Sequence, residues 1–148
     1  MAHPADAGDP VWREISSALE AADGIIVVVP EYHGMAPPAL MNFILMCRYE
    51  MAHKPGLIVG ISATDGGAYP TVQLRGSVAK NNRICWIPDQ VVIRNVKQAL
   101  QDDLQTDETD RVRSRIDYTL RLLVSYSKAL RNVRGSGTVD HKSFSFGQ

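Results

Sequence analysis

The chain has 148 residues, enough for one domain with a real core. Apolar residues make up 45%, and sixteen basic residues balance sixteen acidic ones. Zero net charge leaves no footprint for nucleic acid or an anionic membrane, and no apolar run reaches the roughly 20 residues of a spanning helix.

The opening stretch, from Met1 to Gly8, lacks the basic start and apolar centre of a signal peptide. Cys47 and Cys85 are far apart and sit in apolar surroundings. They predict reduced, buried thiols in a cytoplasmic protein rather than a disulfide or a metal pair. Asp9 suits a helix cap, and Pro10 suits the first helical position. Val11, Ile15, Leu19 and Ala22 recur at helical spacing, so a helix is predicted over 10–22, closed by Gly24. Residues 25–29 are continuously apolar and β-branched, the pattern of a parallel strand buried on both faces. A helix is predicted over 38–49, with Leu40, Phe43, Ile44 and Cys47 on one side.

Residues 57–61 read as a second buried strand, followed by a helix over 70–80. A short third strand is expected over 83–87, ended by Pro88. Residues 91–104 form a connection with an extended piece at 91–93. A long helix runs over 107–133, carrying Val112, Ile116, Leu120, Leu123 and Leu130 at helical spacing. Arg111, Arg113, Arg115 and Arg121 give it a basic, solvated flank. One domain over 1–133 is expected, with a mobile Gly/Ser-rich tail over 134–148.

This alternation means a parallel α/β sheet with right-handed crossovers and helices on both faces. Ligands of such sheets bind where the loops gather at the carboxyl ends of the strands. Two polar loops stand there. One is Pro30-Glu31-Tyr32-His33-Gly34, and the other carries Thr64, Asp65, Gly66, Gly67 and Tyr69. Both can present backbone N–H groups. The adjacent glycines allow positive φ and a close approach to a flat ligand. Such loops suit a planar heterocycle rimmed by carbonyls and ring nitrogens. On composition alone, ordinary turn chemistry accounts for them more readily.

The first loop, followed by Pro38, Leu40 and Asn42, resembles the flavin-ring loop of the NADPH-dependent FMN reductase family. The lead-in from Asp23 to Val29 and the Gly66-Gly67 loop are similar to it too. The likeness covers roughly residues 10–100. It implies a flavodoxin-like fold, FMN as cofactor, NAD(P)H as co-substrate, a small-molecule electron acceptor and a homo-oligomer. It implies cofactor contacts from Pro30, Glu31, Tyr32, His33 and Gly34, and from Thr64, Asp65, Gly66, Gly67 and Tyr69. It assigns no acid–base or metal-binding residue. His33 stands where the family usually has asparagine.

The family opens with a strand, a phosphate loop, a helix and a second strand, none recognisable in this sequence. A flavodoxin-like sheet truncated at its N-terminus is therefore expected, with strand 25–29 at an edge. A partner chain, or the tail with Phe144 and Phe146, is the expected cover for that edge. The second reading is a flavodoxin-like interaction or structural module that no longer binds flavin.

Overall fold

The apolar run ending at Ile61 lies at the centre of the sheet. The computed structural model describes residues 8–101 and 106–147. Residues 1–7, residues 102–105 of the expected connection and Gln148 lie outside the described part. In chain order the elements are α1 (Pro10–Ala21), β1 (Ile25–Pro30), α2 (Pro38–Met46), β2 (Pro55–Ile61), α3 (Tyr69–Ser77), α4 (Ala79–Asn82), β3 (Cys85–Ile93), α5 (Val96–Ala99) and α6 (Asp107–Gly135). The strands are parallel, in the order β1-β2-β3. The parallel α/β sheet expected from the alternation is what the structure has, and it agrees with the flavodoxin-like fold that the resemblance implies.

Asp9 caps α1 by accepting the Val11 N–H, and Pro10 takes the first position. The far end differs from expectation. Ala22 caps the helix, not Gly24. Gly24 instead permits close packing, since a Cβ there would stand 2.7 Å from Ser127 Oγ of α6. Lys54, whose pKa burial lowers, donates to the Leu19 and Glu20 carbonyls at 2.6 and 2.8 Å. It satisfies the C-terminal carbonyls that the helix leaves open.

β1 is not buried on both faces. Val27 and Val29 point into a core with Trp12, Ile44 and Leu74. Ile26 and Val28, on the opposite face, are 47% and 56% exposed. On that side α6 lies over β2 and β3, where Leu57, Ile87 and Leu123 form a second core. A helix is about 10 Å across and strands are about 4.8 Å apart, so one helix covers two strands. β1 is left as an edge strand with one face open.

β3 does not end at Pro88. It runs to Ile93, and the extended piece at 91–93 is its second half. The pairing slips between Gly56/Trp86 and Ile58/Gln90, which bulges β3 around Pro88. A bulge on an edge strand tolerates the missing N–H. Arg75 of α3 reaches across and donates to the carbonyls of Ile87, Pro88 and Asp89.

α6 starts with a reciprocal cap between Thr106 and Thr109. Its other end is tied to the start of β1, where Arg131 and Arg134 both pair with Asp23. The segment beyond it meets the amino-terminal ends of β2 and β3. Tyr49 Oη donates to the Ser145 carbonyl at 2.9 Å, and Arg83 reaches the Phe144 carbonyl and His141. His141 stacks on Tyr49 at 4.3 Å and on His53 at 5.4 Å.

Burial, and the nearby Arg83, hold both histidines below their ordinary pKa; each ring also faces charge from its surroundings. For His53 these are His141, Arg83 and Arg134; for His141 they are Arg83 and the opposing Asp140. The unfolded chain therefore binds more protons near and below about pH 6.5. The stabilisation is complete above that value and lost as pH falls through the folded-state pKa. A urea midpoint that drops between about pH 7 and pH 5, with a flatter slope in a His53→Gln, His141→Gln double variant, is the expected result.

Both cysteines are free thiols. Burial pushes Cys47 up to about 12, which leaves it unreactive. Among the described residues, no helix is long and apolar enough to cross a membrane, and no group of three or more His, Cys, Asp or Glu could hold a metal.

Candidate functional site

The first loop begins as a continuation of the sheet. Glu31 N donates to the Ile61 carbonyl at 2.8 Å, so β1 stays paired with β2 to its last residue. Strand alternation then turns the Pro30 nitrogen away from β2, where its missing N–H costs no ladder bond. The chain reverses at once. Tyr32 N donates to the Met35 carbonyl at 3.0 Å, and Met35 N returns a bond to the Tyr32 carbonyl at 2.9 Å. His33 and Gly34 lie between them with φ of 52° and 76°. Two positive φ values inside a two-residue reversal are the mark of a type I′ turn.

That turn explains the departure at His33. Asparagine and histidine are both enriched in the left-handed region, so the swap keeps the backbone shape. The His33 side chain is exposed. Gly34 has open space around its Cα and is required there by its φ alone.

The second loop lies against the first, and Glu31 joins them. Its Oε2 accepts the Gly67 N–H at 2.6 Å and the Tyr69 N–H at 3.2 Å. A Cβ on Gly66 would stand 2.7 Å from the other carboxylate oxygen. Gly66 is thus a close-approach glycine; of the adjacent pair, Gly67 alone has positive φ, at 100°. Thr64 N is held by Ser62 Oγ at 3.2 Å.

The same loop is braced from just beyond β3, in the stretch expected to be a connection. Arg94 Nε donates to the Gly66 carbonyl at 3.3 Å, and Asn95 N to the Thr64 carbonyl at 3.0 Å. Asn95 Nδ2 reaches Asp65 Oδ1 at 3.4 Å. The available signal was Arg94-Asn95 directly after the apolar 91–93 run, the same strand-to-polar-loop change that marked the other two. Gln73 was also missed; its side-chain oxygen accepts the Ala36 N–H at 2.9 Å.

Backbone accounting then shows what the site has left to offer. Gly67 and Tyr69 spend their N–H groups on Glu31. Among the described residues, the N–H groups of His33, Gly34, Asp65, Gly66 and Ala68 have no protein acceptor. Tyr32 and Tyr69 flank these donors and are 60% and 69% exposed, so neither ring is packed into the core. A hollow of about 340 Å³ opens on the β3 side of the loop, between Asp65, Arg94, Gln98 and the head of α6. Donor amides bordered by exposed aromatic rings suit a flat ligand rich in acceptors.

Fold and site together define an open parallel α/β protein with a crevice at its strand ends. The structure resembles an oxidoreductase of Corynebacterium diphtheriae with a TM-score of 0.67 and 18% identity, over 81% of this chain and 63% of that one. It also resembles an NADH:FMN oxidoreductase in its apo form, with a TM-score of 0.56 and 19% identity, over 76% and 60% of the two chains. At such identities the likeness is one of fold, and the chain spans less than two thirds of either protein. No curated protein matches in sequence. The sequence model of NADPH-dependent FMN reductases matches residues 2–98, and the chain belongs to that family.

Proposed function

We propose that this chain is an NAD(P)H-dependent flavin oxidoreductase domain whose two clasped loops hold the ring of FMN. The observation that carries this reading is the set of unpartnered amides at His33, Gly34, Asp65, Gly66 and Ala68 beside exposed Tyr32 and Tyr69. Flavin rings present carbonyls and ring nitrogens along one rim, which such amides complement. FMN held there would supply a hydride acceptor for NAD(P)H and a reductant for a small-molecule acceptor. This chain's own residues bind and orient. The 32–35 turn and the 64–69 loop set the donors, and Tyr32 and Tyr69, exposed beside them, would be available to the bound ring.

Family membership supports FMN and NAD(P)H as the pair of cofactors. A homo-oligomer is part of the proposal, supported by the open edge of β1 with Ile26 and Val28 exposed. So is a cytoplasmic location, supported by the two free thiols. The same open edge favours the second reading, an interaction module without flavin.

Titration with FMN separates the two. The expected result is a yellow protein that quenches flavin fluorescence and oxidises NAD(P)H with an added quinone. Gly66→Val is expected to weaken FMN binding about tenfold or more, because its side chain would drive Glu31 from between the loops. Gly34→Val is expected to do so through its φ of 76°. Protein that stays colourless after FMN addition sinks the enzyme reading in favour of the module.

A further inference from the structure

We propose that Glu31 is a positioning residue, resting on the reading above: it fixes the ring-binding amides in place and does not itself touch the ligand. Three observations carry this. Its carboxylate accepts two backbone N–H groups of the neighbouring loop, Gly67 at 2.6 Å and Tyr69 at 3.2 Å. Its own N–H is locked into the β1–β2 ladder through Ile61. Gly66 lacks the Cβ that would stand 2.7 Å from Oε1.

The side chain therefore links a strand-anchored backbone to a loop through one carboxylate oxygen that accepts two backbone amides. Without it the 64–69 loop keeps the Arg94 and Asn95 brace, the Ser62 hydroxyl on Thr64 N and the bonds of α3 to the Ala68 carbonyl, but nothing that holds the Gly67 N–H. Gly66 and Ala68, two of the unpartnered donors, flank Gly67, one of the two residues that Glu31 holds. A small displacement of Gly67 moves both, and a ligand that needs several amides at once is sensitive to such shifts. Glu31 and Gly66 form one unit: the acid needs the space that the glycine leaves.

The test uses the whole chain and two independent arms. In the first, without ligand, amide resonances of Gly67 and Tyr69 are followed in the wild type, Glu31→Ala and Glu31→Gln. Exchange at both amides is expected to quicken about tenfold or more in Glu31→Ala, with central β2 amides unchanged, and to recover in large part in Glu31→Gln. Gly66→Ala should reproduce the release, and the Glu31→Ala, Gly66→Ala double variant should add little to either single change.

In the second arm, FMN is titrated into the same proteins. Its dissociation constant is expected to rise about tenfold in Glu31→Ala, with a shifted flavin band, and to be restored by Glu31→Gln. Unchanged Gly67 and Tyr69 amides in Glu31→Ala would overturn the inference. So would released amides with FMN affinity and spectrum as in the wild type. A wild type that binds no FMN, with its Gly67 and Tyr69 amides protected, refutes the flavin reading and with it the positioning role, leaving only a structural clasp.

Discussion

Gly60→Val is expected to unfold the domain or cost it about 3 kcal/mol or more. Gly60 lies in β2, beneath the second loop. A Cβ there would stand 2.1 Å from the Gly67 carbonyl oxygen and 3.0 Å from Thr71 Cγ2. The first collision is with backbone, so no rotamer relieves it. Gly67 has little room to retreat, because Glu31 holds its N–H at 2.6 Å and Val92 Cγ1 stands 2.9 Å from where its Cβ would be. Gly60→Ala adds the same Cβ and should show most of the effect. Domains of this size have about 5–15 kcal/mol in total, so the loss is a large share. The measurement is a urea denaturation midpoint. A midpoint like the wild type's would mean that the loop does not pass over Gly60 as described.

Ile58→Ala is expected to cost about 2–5 kcal/mol. Ile58 sits in the middle of β2, is fully buried, and belongs to the core with Val27, Val29 and Leu74. Its neighbours are held by two strands and cannot close a cavity of that size. The informative control is Ile26→Ala on β1. It removes the same atoms, but Ile26 is 47% exposed, so the loss should stay under about 1 kcal/mol. Equal costs at the two positions would show that something covers the outer face of β1. Both variants are read by the same urea midpoints.

These pairs also mark where the sequence was legible. Ile58 and Ile26 lie in apolar runs that look alike, and both read as doubly buried strand. Only the central one is. A run of β-branched residues reports that a strand is apolar; it does not report how many helices lie on each side. At Pro88 the residue type suggested a strand end. The strand passes through it, because a bulge on an edge, with Arg75 binding the exposed carbonyls, absorbs the missing donor. In the site, Gly34 was legible as a residue that a left-handed turn requires. The pairing of Glu31 with Gly66 was not, because 35 positions of chain separate two residues that only crossover packing brings together.

The sequence alone determined the main helix–strand alternation, the parallel sheet, both strand-end loops and the family, because each is written in local periodicity or a contiguous motif; the short helices α4 and α5 were not legible in it. The tertiary structure alone decided which face of β1 stays open, which amides Glu31 consumes, and that Arg94 and Asn95 belong to the second loop's support. Those outcomes depend on contacts between residues distant in the chain. Pattern in a one-dimensional string records which residues can be buried or can bond, and only the packed arrangement selects their partners.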